Sequence, residues 1–369
     1  MASLEEIRSA RLEKLQALKD AGVNPYPAHT DRDISVEETL EQFDTLSQSG
    51  ESRVVVGRIM AIRGQGKIIF IDFEDGTGRM QALLKKDEPL SGETFELFEK
   101  NFDIGDFVEL KGTLFLTKKE EKTILAEEVK MLSKSLLPLP EKWHGLQDTE
   151  ERFRKRYLDI LSNPEIKDLI IKKSKFWDVT REFMKKEGFL EVETPTLEVT
   201  TGGAEARPFK THHHDFDLDV HLRISVGELW QKRLMAAGFP KTFEIGRVYR
   251  NEGSSPEHLQ EFTNMEFYWG YANYKDGMEL VKNLYRTIAQ EVFGTTKFTT
   301  RGHSFDLADD WKEIDYVEEI KRQTGVDVVS ASESEMKSKL EELGVSYEGD
   351  NKERLTDTLW KFCRKNISG

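Results

Sequence analysis

Between Arg247 and Trp269 the chain reads RVYRNEGSSPEHLQEFTNMEFYW, two charged, alternating runs around a polar turn. Successive side chains of an extended strand point to opposite faces. Glu244, Gly246, Val248, Arg250 and Glu252 therefore share one side of the first run, with Phe243, Ile245, Arg247 and Tyr249 on the other. In the second run Phe262, Asn264, Glu266 and Tyr268 share a face, while Thr263, Met265, Phe267 and Trp269 point away. A hairpin built this way has a largely apolar back and a front of arginine, three carboxylates, a phenol and one aromatic ring. A packed core does not accept such charges unpaired, so the front is expected to face a ligand.

The residue types on that front define a chemistry. Arg250 is a planar fork suited to phosphate or carboxylate oxygens. Phe262 offers a ring on which a base can stack, and Glu266 with Tyr268 can hold an ammonium group by charge and hydrogen bond. The plainer alternative is a surface ladder of ion pairs, each worth under ~1 kcal/mol.

Other signals are weaker. Arg63-Gly64-Gln65-Gly66-Lys67 has the flavour of a phosphate loop but lacks the G-x-x-x-x-G-K-[ST] frame, and it reads as a turn between strands. His212-His213-His214 would alternate between faces of a strand, with no third ligand at metal-binding spacing. Cys363 has no motif around it and reads as a small buried apolar residue. Gly202-Gly203-Ala204 alone reads as a loop.

Several elements must position the hairpin. Ser3 with Glu6 forms a capping-box pattern, and Leu4, Ile7, Leu15 and Leu18 mark a helix face in an N-terminal appendage, residues 1–50. Val54 to Met60, Ile68 to Phe73, Arg79 to Leu84, Phe107 to Phe115 and Thr123 to Met131 read as five strands, with a helix from Ser91 to Asn101 after the third. That order predicts an OB-fold barrel over residues 51–137, a fold that binds oligonucleotides on its strand 2 and 3 face. Leu136-Leu137-Pro138-Leu139-Pro140 is a stiff linker. Beyond it, Ile166, Leu169, Ile170, Trp177, Phe183 and Met184 recur at helical spacing, and Phe189 to Pro195 alternates like a strand, an arrangement suited either to core packing or to dimer formation. Another helix is expected from Tyr274 to about Phe293, and an acidic helical tail from about Ser330.

Composition sets the bounds. A chain of 369 residues exceeds one ordinary core, and 33% charged against 37% hydrophobic residues marks a soluble globular protein. A single cysteine excludes an intramolecular disulfide and any Cys-based zinc cluster, and it suits a reducing cytoplasm. No run approaches the ~18 apolar residues of a membrane span. The net charge of −14 argues against coating nucleic acid, so any RNA-binding surface must be local.

FEIGRVYRNEG, followed after a short loop by HLQEFTNMEFYWGYANY, resembles motif 2 of class II aminoacyl-tRNA synthetases in the lysyl-tRNA synthetase form. EVETPTL, containing Pro195, resembles motif 1, and LPLPEKWHGLQDTEERFRKRYLDILSN is similar to the stretch joining that family's two domains. GGAEARPFKTHHHDFDLDVHLRIS resembles its amino-acid-binding strand region, and RIMAIRGQGKIIFIDFEDGTGRMQ its anticodon-binding OB-fold. The likeness runs from about residue 3 to 295 and is specific; the class I signatures HIGH and KMSKS are absent.

The resemblance implies an α+β multidomain protein, with the OB barrel preceding a class II antiparallel-sheet catalytic domain over residues 138–369. Arg250 would contact the α-phosphate of ATP and the lysine carboxylate, Glu252 and His258 would hold the nucleotide, and Phe262 would stack on adenine. Gly203, Glu228, Glu266 and Tyr268 would line the lysine pocket with Arg250. In the barrel Phe70 would stack on an anticodon base of tRNA(Lys), with Arg63, Gln81 and Glu128 contacting its bases. The expected reaction joins L-lysine and ATP, with Mg²⁺, to lysyl-adenylate and then lysylates the tRNA terminal ribose, in a cytoplasmic homodimer.

This sequence departs from the family pattern at several positions. Leu259, Gln260 and Asn264 stand where asparagine, proline and methionine are expected, and an additional residue near Val226-Gly227 shifts the approach to Glu228. Nothing from Thr299 to Gly369 resembles motif 3, near which the Mg²⁺ ligands and the remaining lysine-pocket residues normally lie. The catalytic domain is therefore expected to be incomplete and the chain alone to have little activity. Two alternatives stand beside the leading one: an aspartyl- or asparaginyl-type relative, and a non-catalytic RNA-binding or dimerisation protein derived from a synthetase.

Overall fold

The computed structural model describes residues 3–140, 148–255, 258–300, 302–347 and 349–367, and it divides into two compact units, Met1–Pro164 and Glu165–Gly369. Residues 141–147 of the joining stretch lie outside the described residues.

The first unit opens with helices α1 (Leu4–Asp20), α2 (Val36–Glu41) and α3 (Phe43–Ser49). Strands β1 (Arg53–Gln65), β2 (Ile68–Glu74) and β3 (Arg79–Lys85) follow, then α4 (Gly92–Asn101), β4 (Phe107–Leu116) and β5 (Lys122–Ser133). The strands close into a barrel in the order β1-β2-β3-β5-β4, as their spacing predicts. Period-2 alternation turns Ile69, Ile71 and Phe73 of β2 and Met80, Ala82 and Leu84 of β3 inward, all nearly excluded from solvent. Burial of each large side chain contributes about 1.5–3 kcal/mol. The outward residues of β2, Phe70 and Asp72 among them, are left for binding. Strand β1 is longer than predicted: Gly64 and Gln65 pair with Ile69 and Ile68, which leaves a tight turn at Gly66-Lys67.

The N-terminal helices are more than an appendage, because Leu18, Ile34, Val36 and Phe43 belong to the barrel's own core. The predicted Ser3–Glu6 capping box is present at the start of α1. Of the apolar helix face, Leu18 is buried but Leu4 is exposed, and α1 also buries Arg11. The Arg11 guanidinium donates to the carbonyls of Ile104, Ser135 and Leu137 at 2.9–3.1 Å, which supplies the partners a buried charge requires. Helices α5 (Thr149–Arg154) and α6 (Arg156–Ser162) end this unit.

The second unit begins with α7 (Pro164–Lys186), β6 (Leu190–Glu191) and β7 (Leu197–Glu198), followed by β8 (Lys210–His213), β9 (Leu218–Leu222) and α8 (Glu228–Ala236). The hairpin β10 (Lys241–Tyr249) and β11 (Glu261–Trp269) leads to α9 (Tyr274–Ile288), which runs on in a π-helical turn to Phe293. The Phe189 to Pro195 segment forms only the two-residue β6, parallel to β10, so this sheet reads β11-β10-β6. A second sheet has the order β7-β9-β8. Helices α7 and α9 cover the back of the hairpin: Met184, Phe189, Phe243 and Leu280 are buried there against Ile245, Met265, Phe267 and Trp269. Leu169 and Ile170, on the predicted apolar stripe of α7, are exposed.

A small hairpin that the periodicity missed, β12 (Lys297–Thr300) with β13 (His303–Asp306), precedes α10 (Tyr316–Thr324), α11 (Glu333–Glu342) and α12 (Lys352–Arg364). The tail thus turns helical at Tyr316, earlier than expected. Its helices pack around Ile320, Met336, Leu340, Leu355 and Leu359, with Cys363 buried among them as the sequence reading had it.

Candidate functional site

Register settles which side chains share the front of the β10–β11 hairpin. Glu244 faces Glu266, Gly246 faces Asn264, and Val248 faces Phe262 across the antiparallel pair. The ladder continues one residue beyond β10, where Arg250 N–H donates to the Gln260 carbonyl at 2.8 Å. On the back Phe243 is buried with Ile245, Met265, Phe267 and Trp269 packed around it, while on the front Arg250, Glu252, Phe262, Glu266 and Tyr268 keep some exposure.

Four residues come together at one end of this face. Gly203 has φ +89 and lies so close to Ser225 and Glu228 that a Cβ would collide with both side chains. Glu228 is the first residue of α8, where the helix dipole favours a carboxylate, and its Oε1 pairs with Lys232 at 2.5 Å. Glu266 Oε1 accepts from Val226 N–H and from Asn264 Nδ2, both at 3.0 Å. The Tyr268 phenol is pushed up to about 12, first by burial and then by the carboxylates of Glu228 and Glu266. It is therefore a neutral hydroxyl at physiological pH, beside two carboxylates: an arrangement for a cation.

The other end forms a cleft of about 260 Å³ lined by Arg250, Glu252, Gly253, His258, Leu259 and Phe262. The Arg250 guanidinium lies over the Phe262 ring, 5.3 Å from its centroid, and Nε approaches the Ile224 carbonyl at 3.4 Å. Glu252 Oε1 accepts from the Arg207 backbone N–H at 3.3 Å. His258 Nδ1 is 2.8 Å from Ser255 Oγ. Of the departures from the family pattern, Leu259 is exposed, while Gln260 Nε2 bonds the Glu252 carbonyl and Ser254 Oγ, bracing the loop from within. Pro256 and Glu257 lie outside the described residues.

One front-face carboxylate is committed internally. Glu244 is buried and pairs with Arg223, also buried, Nη1 to Oε1 at 2.5 Å. Thr194 Oγ1 donates to the other Glu244 oxygen at 2.6 Å, and Arg223 Nε donates to the Arg247 carbonyl at 2.8 Å. Glu244 therefore supports the face without meeting a ligand, and of the three carboxylates only Glu252 and Glu266 remain open to one. Sequence reasoning passed over Arg223; the available signal was a lone arginine in the run Val220-His-Leu-Arg-Ile-Ser-Val226. Nearby Glu198 is buried too, and burial raises its carboxyl above the ordinary range.

On the barrel, Arg63 of β1 faces Phe70 of β2, and Asp72 of β2 faces Gln81 of β3. Arg63 grips Asp72 with both Nη atoms at 2.7 and 3.0 Å, and Arg79 reaches the same carboxylate at 3.0 Å. Burial acts to raise the Asp72 carboxyl, but the hydrogen bonds from Arg63 and Arg79 outweigh it and hold the group below its usual value. The structure thus brings Arg63, Phe70 and Gln81 to one face. It does not bring Glu128 there: Glu128 stands on the part of β5 that pairs with β4, bound to Lys111 at 2.7 Å. The carboxylate beside Gln81 is Glu121, which accepts from Nε2 at 2.8 Å. Glu121 lies in the approach to β5, and its distance along the chain from Gln81 hides their contact.

His212 Nδ1 lies 2.9 Å from Asp219, while His213 packs against the Phe216 ring. Adjacent histidines thus serve different faces, and among the described residues no group of three or more His, Cys, Asp or Glu is placed to hold a metal.

Comparison with known proteins follows the same division. Residues 148–357 match the family described as tRNA synthetases class II (D, K and N), and residues 54–132 match the OB-fold nucleic acid binding domain. A lysine–tRNA ligase of Roseiflexus sp. (strain RS-1) is 44% identical over 333 residues, covering 90% of this chain and 68% of the relative. The lysine–tRNA ligase of Thermotoga maritima is 42% identical over 369 residues, covering 99% of this chain and 73% of the relative. That of Pelotomaculum thermopropionicum is 43% identical over 348 residues, 94% of this chain and 68% of the relative.

Proposed function

The chain belongs to the class II tRNA synthetases, in the lysine–tRNA ligase family, and from that premise we propose that it joins L-lysine and ATP as lysyl-adenylate and passes the lysyl group to tRNA(Lys). The observation that carries the substrate assignment is the pocket of Gly203, Glu228, Glu266 and neutral Tyr268, next to the Arg250–Phe262 cleft. Glu266, without a cationic partner among the described residues and beside the Tyr268 hydroxyl, suits an ammonium side chain, whereas an aspartyl- or asparaginyl-type enzyme would need a basic or amide-reading pocket.

In this reading Phe262 stacks on adenine, Glu252 and His258 hold the nucleotide, and Arg250 touches both the α-phosphate and the lysine carboxylate. A lysine carboxylate oxygen attacks the α-phosphorus, the bond to the bridging oxygen breaks, and pyrophosphate leaves with the electron pair. Arg250 contributes orientation and neutralises charge that grows in the transition state. Mg²⁺, carried on the nucleotide phosphates, would supply further neutralisation; the described residues hold no ready-made metal site.

The barrel face of Arg63, Phe70 and Gln81 supports anticodon recognition, with a half-buried, outward-facing ring for stacking and polar groups for base edges. Exposed Leu169, Ile170 and Ile171 on α7 support a homodimer through that helix. No described helix is long and apolar enough to cross a membrane, and a cytoplasmic location is the reading that membership of the lysine–tRNA ligase family supports.

Calorimetric titration of the chain with L-lysine, L-aspartate and ATP tests the assignment. Saturable binding of lysine and ATP, with none of aspartate, is expected; binding of aspartate in place of lysine would sink it.

A further inference from the structure

We infer that Asn264 and the backbone of Val226 lock one oxygen of Glu266 so that the other becomes the contact for the substrate's ammonium, which makes Asn264 a positioning residue for amino-acid recognition. The inference rests on the lysine reading above. Both hydrogen bonds that Glu266 receives, from Val226 N–H and Asn264 Nδ2, fall on Oε1 at 3.0 Å. Among the described residues none reaches Oε2.

The donors are themselves held. Asn264 Oδ1 accepts from Met265 N–H at 3.0 Å, which orients the amide so that Nδ2 faces Glu266. Val226 is fixed by Gln231, fully buried one turn into α8, whose Nε2 donates to the Val226 carbonyl at 2.9 Å. Gln231 Oε1 in turn accepts from Thr242 Oγ1 at 2.9 Å, and Thr242 pairs with Tyr268 across the hairpin. The network thus runs from the α8 helix to the strand that carries the pocket, and Glu266 is ordered before any ligand arrives.

Charge distinguishes Glu266 from its neighbours. Glu244 is neutralised by Arg223 at 2.5 Å, and Glu228 pairs with Lys232 at 2.5 Å. Glu266 is held by two neutral donors, the Val226 N–H and the Asn264 amide, and has no cationic partner among the described residues. Two of this chain's departures from the family pattern, the additional residue at Val226-Gly227 and asparagine at 264, converge on that single oxygen. A methionine at 264 would leave Oε1 with one donor.

The test is a binding cycle on the whole chain with L-lysine and ATP as titrants. Asn264→Leu and the smaller Asn264→Ala should each raise the lysine Kd about tenfold, the scale of one lost hydrogen bond to a charged group. The ATP Kd should stay within about twofold, which a general loss of structure would not allow. In a Glu266→Gln background the same substitutions should add nothing further, because the charge they position is gone. Lysine affinity unchanged in both Asn264 variants overturns the inference and leaves the lysine reading intact. A wild-type chain that binds ATP but not lysine overturns both.

Discussion

Arg223 and Glu244 form an ion pair at 2.5 Å with both side chains about 5% exposed, on the same hairpin face that carries the candidate substrate residues. Thr194 and the Arg247 carbonyl complete the pair's hydrogen bonding. A pair so deeply desolvated is worth little net, yet breaking it strands a charge. Glu244→Ala is expected to cost about 3–5 kcal/mol, and Arg223→Met with Glu244→Leu together distinctly less than the single change. Urea unfolding followed by tryptophan fluorescence measures both, and a double variant worse than the single would contradict this account.

Phe262 and Arg250 lie against each other in the lining of the proposed nucleotide cleft. Phe262→Ala should weaken ATP binding by roughly 1–3 kcal/mol, the range for loss of a stacked base, while Phe262→Tyr should retain most of the affinity. Arg250→Ala should weaken both ATP and lysine if the guanidinium bridges the two as proposed. Titration calorimetry separates these outcomes; an Arg250 variant that loses only one ligand would argue against the bridging role.

The Tyr268 phenol titrates at about 12, above its ordinary value of 10.0, because burial and the carboxylates of Glu228 and Glu266 oppose the phenolate. Between pH 10 and 12 the folded chain keeps this proton and the unfolded chain loses it, so the contribution to stability is complete below pH 10 and declines as pH rises through that window. Ultraviolet titration should show a late phenolate transition that disappears in Tyr268→Phe and moves to lower pH in Glu266→Gln. Persistence of the late transition in Tyr268→Phe would assign it to another tyrosine.

The barrel offers a sharper contrast between two glutamates. Phe70→Ala should weaken binding of a lysine-tRNA anticodon stem-loop about tenfold, and Glu121→Ala should weaken it measurably, because Glu121 holds Gln81. Glu128→Ala should leave it within about twofold, since Glu128 is occupied with Lys111 away from that face. Fluorescence anisotropy at fixed salt decides; a larger loss from Glu128→Ala than from Glu121→Ala would reverse the assignment.

The strand alternation that put Phe262, Asn264, Glu266 and Tyr268 on one side was legible from spacing alone, and the register bears it out. So were the five strands and the helix of the barrel, where β2 and β3 alternate cleanly between inward and outward residues. Where the chain relies on few local cues it misled: Phe189 to Pro195 alternates like a strand, yet proline and sparse pairing leave only Leu190–Glu191 in the ladder. Leu4, well placed on its helical face, finds nothing to cover it, and Arg11 is buried because three carbonyls converge on it.

By itself the sequence determined the period of each element, the faces those periods create, and the family whose motifs they carry. Tertiary structure alone decided which charges are spent and which are free. Glu244 is silenced by Arg223 from 21 residues away, Glu121 reaches Gln81 across 40, and Val226 meets Glu266 across 40. Local periodicity is fixed by backbone geometry within a few residues, but compensation of a charge depends on which partner the fold brings within hydrogen-bond reach, and that distance is not written along the chain.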